Sequence, residues 1–179
     1  YFSKKIEFRK DTDYTMQHLT GVETIEVSLE SKSGSVAEPA YLRELDSLKE
    51  RLLLESDVIH VSTLTDTIKK LNRSMHSDDD EYLAIPENRE LASQYLLLYE
   101  LSLPKGLDIN NTVNLDKSSS KITVTFGDTN SARVIEVSEI VRDWVNQQAN
   151  TVSEISMGSP TLMFAHLSKT NIDSMIKGT

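Results

Sequence analysis

"KITVTF", residues 121–126, alternates without a break: Ile122, Val124 and Phe126 fall on one side of an extended chain, Thr123 and Thr125 on the other. Period two with β-branched side chains reads as a strand with one buried and one solvated face. "GDTNS" (127–131) then turns the chain. Val134, Val137, Val141 and Trp144 follow at helical spacing, and Trp144 is expected in the core. "TVSEISM" (151–157), with Ile155 and Met157 in phase, is the next strand. The second half of the chain therefore reads strand, helix, strand.

The first half has the same order. Ile25, Val27 and Leu29 alternate with Glu26, Ser28 and Glu30. "SKSGSVAEP" (31–39) is a turn with a pre-helix proline. Tyr41, Leu45, Leu48 and Leu52 recur at spacings of four, three and four, with Pro39 near the first turn. "DVIHVS" (57–62) is a short strand rich in β-branched residues. Together the halves give β-α-β-β-α-β, an α+β arrangement of the ferredoxin-like, split βαβ type. Such a core has one four-stranded antiparallel sheet, two helices on one face and the other face bare.

Two further helices interrupt this core between its second and third strands. "TLTD" (63–66) can cap the first, where Ile68, Leu71 and Met75 share a face, and "HSDDDEY" (76–82) breaks it. Pro86 and Asn88 start the second, and Pro104-Lys105-Gly106 ends it. On a helical wheel Leu91, Tyr95 and Leu98 form one stripe of this helix, and Leu96, Leu97, Leu101 and Leu103 fill most of the remaining circumference. A helix apolar nearly all round is either fully buried or meets a partner. Leu96, Leu97, Leu101 and Leu103 are therefore the candidate substrate- or partner-contacting residues, with part of the set expected to be exposed in the isolated chain. "NLDKSSS" (114–120) is polar and loop-like, and a last helix starts near Pro160 carrying Leu167, Ile172, Met175 and Ile176.

The bulk numbers bound the function. The chain has 179 residues, 38% hydrophobic and 26% charged, enough to bury a core. Its net charge of −9, from 28 acids against 19 bases, argues against nucleic acid and anionic membrane surfaces. It has no cysteine, so disulfides, thiolate metal sites and cysteine nucleophiles are excluded. No stretch approaches the roughly 20 apolar residues of a membrane span. The chain begins at Tyr1-Phe2 and ends at Gly178-Thr179, straight after a helical pattern, which suggests a piece of a longer protein.

Nothing in the sequence asks for catalysis. His18, His60, His76 and His166 show no metal-ligand spacing on one element, and His60 reads as a half-buried, hydrogen-bonded strand residue. The acidic run after His76 lacks the spaced acids and central glycine of a calcium loop. "SKSGS" (31–35) stands between strand and helix, where amides can cradle phosphate, but has no phosphate-loop spacing. No catalytic residue, metal or cofactor is expected.

Residues 38–126 resemble the first large extracytoplasmic loop of RND-superfamily (resistance-nodulation-cell division) exporters, nearest to the MMPL-like branch. The features that carry this are "IKKLN" (68–72), "IP" (85–86), "QYLLLYELSLPKGLD" (94–108), "VNLDKS" (113–118) and the alternating strand, in that order. The ending "GSPTLMFAHLSKTNIDSMIKG" (158–178) looks like the link from "TGxP"-type sequence into the second transmembrane helix, with Ser159 before Pro160. The similarity runs from about Gly21 to Gly178 and includes no catalytic signature.

The resemblance implies a periplasmic porter domain of a proton-driven inner-membrane exporter, forming part of the path for hydrophobic or amphiphilic, lipid-like substrates. Residues 1–19 would lead in from transmembrane helix 1, 20–62 and 113–158 would be the βαββαβ core, 63–112 the helical insertion, and 159–179 the helix to transmembrane helix 2. Its partners would be the second porter domain and the transmembrane helices, with a homo-oligomer open and nucleic acid excluded. Two other readings compete: a stand-alone ferredoxin-like module that binds a small molecule, and an acylphosphatase-like hydrolase. The hydrolase would need an anion-binding arginine at the first β-to-α turn, where only Lys32 stands.

Overall fold

The computed structural model describes residues 23–103 and 109–167. The lead-in, the Pro104-Lys105-Gly106 stop and the Ile172, Met175 and Ile176 positions lie outside these residues. The elements are β1 (Thr24–Ser31), α1 (Pro39–Leu53), β2 (Val58–Ser62), α2 (Leu64–Met75), α3 (Arg89–Ser102), β3 (Ser119–Phe126), α4 (Ser131–Gln148) and β4 (Val152–Gly158). A last helix, α5, runs from 160 to the end of the described residues. The domain is α+β, with one antiparallel sheet in the order β2-β3-β1-β4.

The two long strands form the centre. Ile25 pairs with Val124 and Val27 with Ile122, so both apolar rows face the same way. These four side chains and Phe126 are fully covered. The roof is α1, through Tyr41, Leu42, Leu45, Leu48 and Leu52, and α4, through Val134, Val137, Val141 and Trp144. Burying each such Leu or Val contributes about 1.5–3 kcal/mol relative to leaving it in water. The opposite face carries Glu26, Ser28, Lys121, Thr123, Glu154 and Ser156 and stays open, which an antiparallel sheet tolerates. There Lys121 Nζ meets Glu26 Oε1 at 2.9 Å.

Three readings need correction. A register shift between Val58 and His60 lets Val58 and Val61 both reach the core across an extra residue. It leaves Ile59 52% exposed and turns His60 outward, so His60 is exposed rather than half-buried and hydrogen-bonded. Thr125 is covered instead of solvated, flanked by Thr24 and His60 on its neighbouring strands. Met75 is 55% exposed, because the buried stripe of α2 runs Leu64, Ile68, Asn72 and ends before it.

Polar contacts fix how the layers meet. The buried Tyr41 hydroxyl donates to Leu29 O at 2.7 Å and, with its one proton spent, accepts from Ser120 Oγ at 2.9 Å. One side chain of α1 thus joins β1 to β3, and burial pushes its phenol up to about 12. Glu44 of α1 accepts from the Asn150 and Thr151 amides at 2.9 and 3.0 Å, holding the turn before β4. Arg133 of α4 reaches the entry to β2, with Nη2 to Glu55 at 2.8 Å and Nε to Asp57 at 2.9 Å. Lys49–Asp66 and Lys69–Asp46 tie α1 to α2. Asp66 also closes a capping box with Thr63, so α2 starts where "TLTD" predicts.

Two outcomes follow from these contacts. Tyr41→Phe leaves Leu29 O and Ser120 without their buried partner, and should lower unfolding stability by about 1–3 kcal/mol in urea melts. Hydrogen bonds from Arg133 hold Glu55 and Asp57 below the usual carboxylate range. A depressed folded-state value adds stability that is present above the unfolded value and lost as pH falls through the folded one. Arg133→Gln should therefore lower the melting temperature at pH 7, with the gap to the parent chain closing as pH falls below the usual carboxylate range.

Candidate functional site

The helix α3 starts cleanly. Asn88 Oδ1 accepts from the Leu91 amide at 2.8 Å, a side-chain N-cap one residue after a glutamate and two after Pro86. Its inner face is narrow: Ala92, Tyr95 and Leu96 are buried, while Leu91, Tyr99 and Leu103 pack partly against the core. The neighbour it packs on is α2. These two helices share one hydrophobic core with the sheet, so the insertion is continuous with the rest of the domain.

Asn72 is the node of this packing. It is buried on α2, accepts from Tyr95 Oη at 2.9 Å and donates to Ala84 O at 3.0 Å. Burial raises the Tyr95 phenol above its ordinary value. One turn on, His76 Nδ1 lies 2.7 Å from Asn72 O and its ring stacks on Tyr82, the two centroids 3.7 Å apart. At the far end, Lys117 Nζ donates to Glu100 Oε2 at 2.7 Å and draws the 114–118 turn to the helix. A helix held from α2, the 84–88 segment and this turn has its orientation set while its outer side stays free.

That outer side is apolar. Leu97 is 52% and Leu101 75% exposed, and Leu98, from the Leu91-Tyr95-Leu98 stripe, is also exposed. Leu96 is instead a core residue, covered like Tyr95, and Leu103 is half-buried at the helix end. Of the four candidates, the structure places Leu97 and Leu101 together on an open surface and assigns Leu96 to packing. Sequence reasoning left out Leu98, which was not among the four candidates, and Leu115, 83% exposed in a turn read only as polar. The signal for Leu115 was one leucine among six polar residues.

The other candidates resolve differently. At the first β-to-α turn Gly34 takes a left-handed φ of 71° that suits glycine. Three amides there are already bonded: Lys32 N to Thr151 O, Gly34 N to Ser31 O and Val36 N to Lys117 O. The Lys32 ammonium donates to Asn150 O at 2.9 Å. Those groups hold the turn against the 114–118 and 150–151 segments. Among the described residues no group of three His, Asp or Glu stands close enough to hold a metal ion, and His18 lies outside them. No described helix is long and apolar enough to cross a membrane.

A cleft of about 560 Å³ lies between α4, the end of β4 and α5, with Ile135, Met157, Leu162 and Met163 in its walls and Arg142 at its side, and another of about 380 Å³ is lined by Asn72, His76, Tyr82, Ile85 and Leu91. No family model matches the chain, and no curated protein matches it.

The division within α3 is measurable. Leu96→Ala should cost about 2–5 kcal/mol of stability, as buried leucines do. The double change Leu97→Gln with Leu101→Gln should stay within about 0.5 kcal/mol of the parent per site and lower the binding of a hydrophobic dye such as ANS.

Proposed function

We propose that this chain is an extracytoplasmic porter-type domain of a proton-driven RND exporter, of the MMPL-like branch, shaping part of the path of a hydrophobic or amphiphilic substrate and docking to neighbouring parts of the transporter. The observation that carries the reading is the outer face of α3, where Leu97, Leu98 and Leu101 stand in water on a helix whose other sides are anchored. Exposed leucines at spacings of three and four form a contiguous stripe, the kind of surface that marks a partner or an apolar ligand. The order of quoted motifs supports the family. The element order, with the antiparallel strand order β2-β3-β1-β4, supports the finer reading of the fold as ferredoxin-like.

In this reading the domain makes and breaks no bonds. Its work is apolar contact: Leu97 and Leu101 shed water against a second porter domain or a lipid-like chain, each square ångström removed contributing about 25 cal/mol. Proton flow would run through membrane helices of the same transporter. The domain's acidic surface matches a part that has no nucleic acid or anionic bilayer to hold.

A second reading, a ferredoxin-like module that binds a small molecule, has the α4–β4–α5 cleft in its favour. Its volume falls within the range of about 300–1,000 Å³ of small-molecule sites.

The test has two steps. The coding sequence on both sides should encode apolar segments of about 20 residues. In the intact membrane protein, a photoreactive residue at 97 or 101 should cross-link to the transporter's second extracytoplasmic domain or a sister subunit, and one at exposed Lys70 should not. Flanks without such segments, or equal cross-linking from 70 and 101, would overturn the exporter reading.

A further inference from the structure

Among the described residues the sheet ends on β4, and part of that strand's backbone has no partner there. Ser31 N donates to Ser118 O and Glu23 O accepts from Phe126 N, so the odd positions of β1 face β3. Alternate residues of an antiparallel strand bond to opposite neighbours. Glu26, Ser28 and Glu30 therefore bond β4, across from Gly158, Ser156 and Glu154. The backbone N–H and C=O of Ile155 and Met157 consequently point out of the sheet, and among the described residues no backbone bond reaches them.

This edge lacks the usual protection. Over 154–158 it has no proline, lysine or arginine, and its irregularity lies earlier, opposite Glu30 and Ser31. The other edge, β2, is five residues long and carries a register shift in its middle. Ile155 and Met157, both half-exposed, lie on the helix side of β4. One residue past the strand, α5 presents Met163, Phe164 and Leu167, each more than half exposed.

We propose that a second copy of this chain pairs with this edge, β4 against β4′, antiparallel about Ser156, giving a continuous eight-stranded sheet. That register is self-complementary. Ile155 meets the partner's Met157, and Glu154 falls opposite the partner's Gly158. A two-fold about Glu154 would instead set two carboxylates face to face in a chain of net charge −9. A strand pair this short buries less than the roughly 1,200 Å² of a specific dimer. The exposed side chains of α5 supply apolar surface beside it. The inference does not depend on the exporter reading.

Ser156 pairs with its own copy at a position whose hydrogen bonds run to β1, where opposed Cα atoms lie about 4.5 Å apart, within disulfide reach. With no native cysteine to interfere, Ser156→Cys should oxidise to a disulfide dimer at least about tenfold faster than His60→Cys on the opposite edge. By sedimentation the parent chain should be a dimer. Met157→Pro removes an outward N–H and a half-buried side chain, and should be monomeric with an unchanged circular dichroism spectrum; Ile155→Lys is the second variant should proline unfold the chain. A parent chain monomeric up to sub-millimolar concentration, equal oxidation at 156 and 60, or a dimer that survives both edge variants would overturn the proposal.

Discussion

The seam between β1 and β3 is the constraint on which the rest of the molecule depends. Ile25 against Val124 and Val27 against Ile122 put two apolar rows on one side of the sheet. A one-residue slip in that pairing would move every one of those side chains to the open face. Once the seam is set, one side of the sheet must be roofed and the other can stay in water. The amphipathic helices α1 and α4 supply the roof, and the Tyr41 hydroxyl, bonded to both central strands, fixes where α1 sits along them.

The helical insertion is attached to this frame by a different logic. The helix α2 is tied to α1 by two ion pairs and buries Leu64 and Ile68 in the common core. The next helix is one layer further out. It has α2 on one side, and the Asn72 hydrogen bonds to Tyr95 and Ala84 O decide which side that is. Three buried residues hold it, and among the described residues the leucines on the remaining arc are left exposed. The exposed face is therefore a consequence of position in the layer order, and that makes it available for contact with something outside the domain.

Much of this was legible in the residues. Elements with an uninterrupted period were read at nearly their observed bounds: "KITVTF" and the Ile25-Val27-Leu29 run as strands, the Tyr41-Leu45-Leu48-Leu52 helix, and the α3 start at Asn88. The departures came where one residue broke the period. The extra residue in β2 moved His60 and Ile59 outward, and a polar Asn72 took a stripe position that an apolar reading gives to Leu71 and Met75. Within α3 the sequence marked the correct helix but could not sort its leucines, since a helix apolar all round carries no internal sign of which side is inner.

The sequence by itself determined the α+β class, the order of the elements and the presence of one helix with more apolar surface than a single neighbour can use. Those properties follow from local periodicity, which each segment carries alone. Only the tertiary structure decided that Leu96 is core while Leu97, Leu98 and Leu101 are surface, that Lys32 reaches across to the 150–151 turn, and that β4 is the edge of the sheet among the described residues. Each of these is a question of which groups meet across the fold, and burial and hydrogen-bond pairing belong to both partners of a contact.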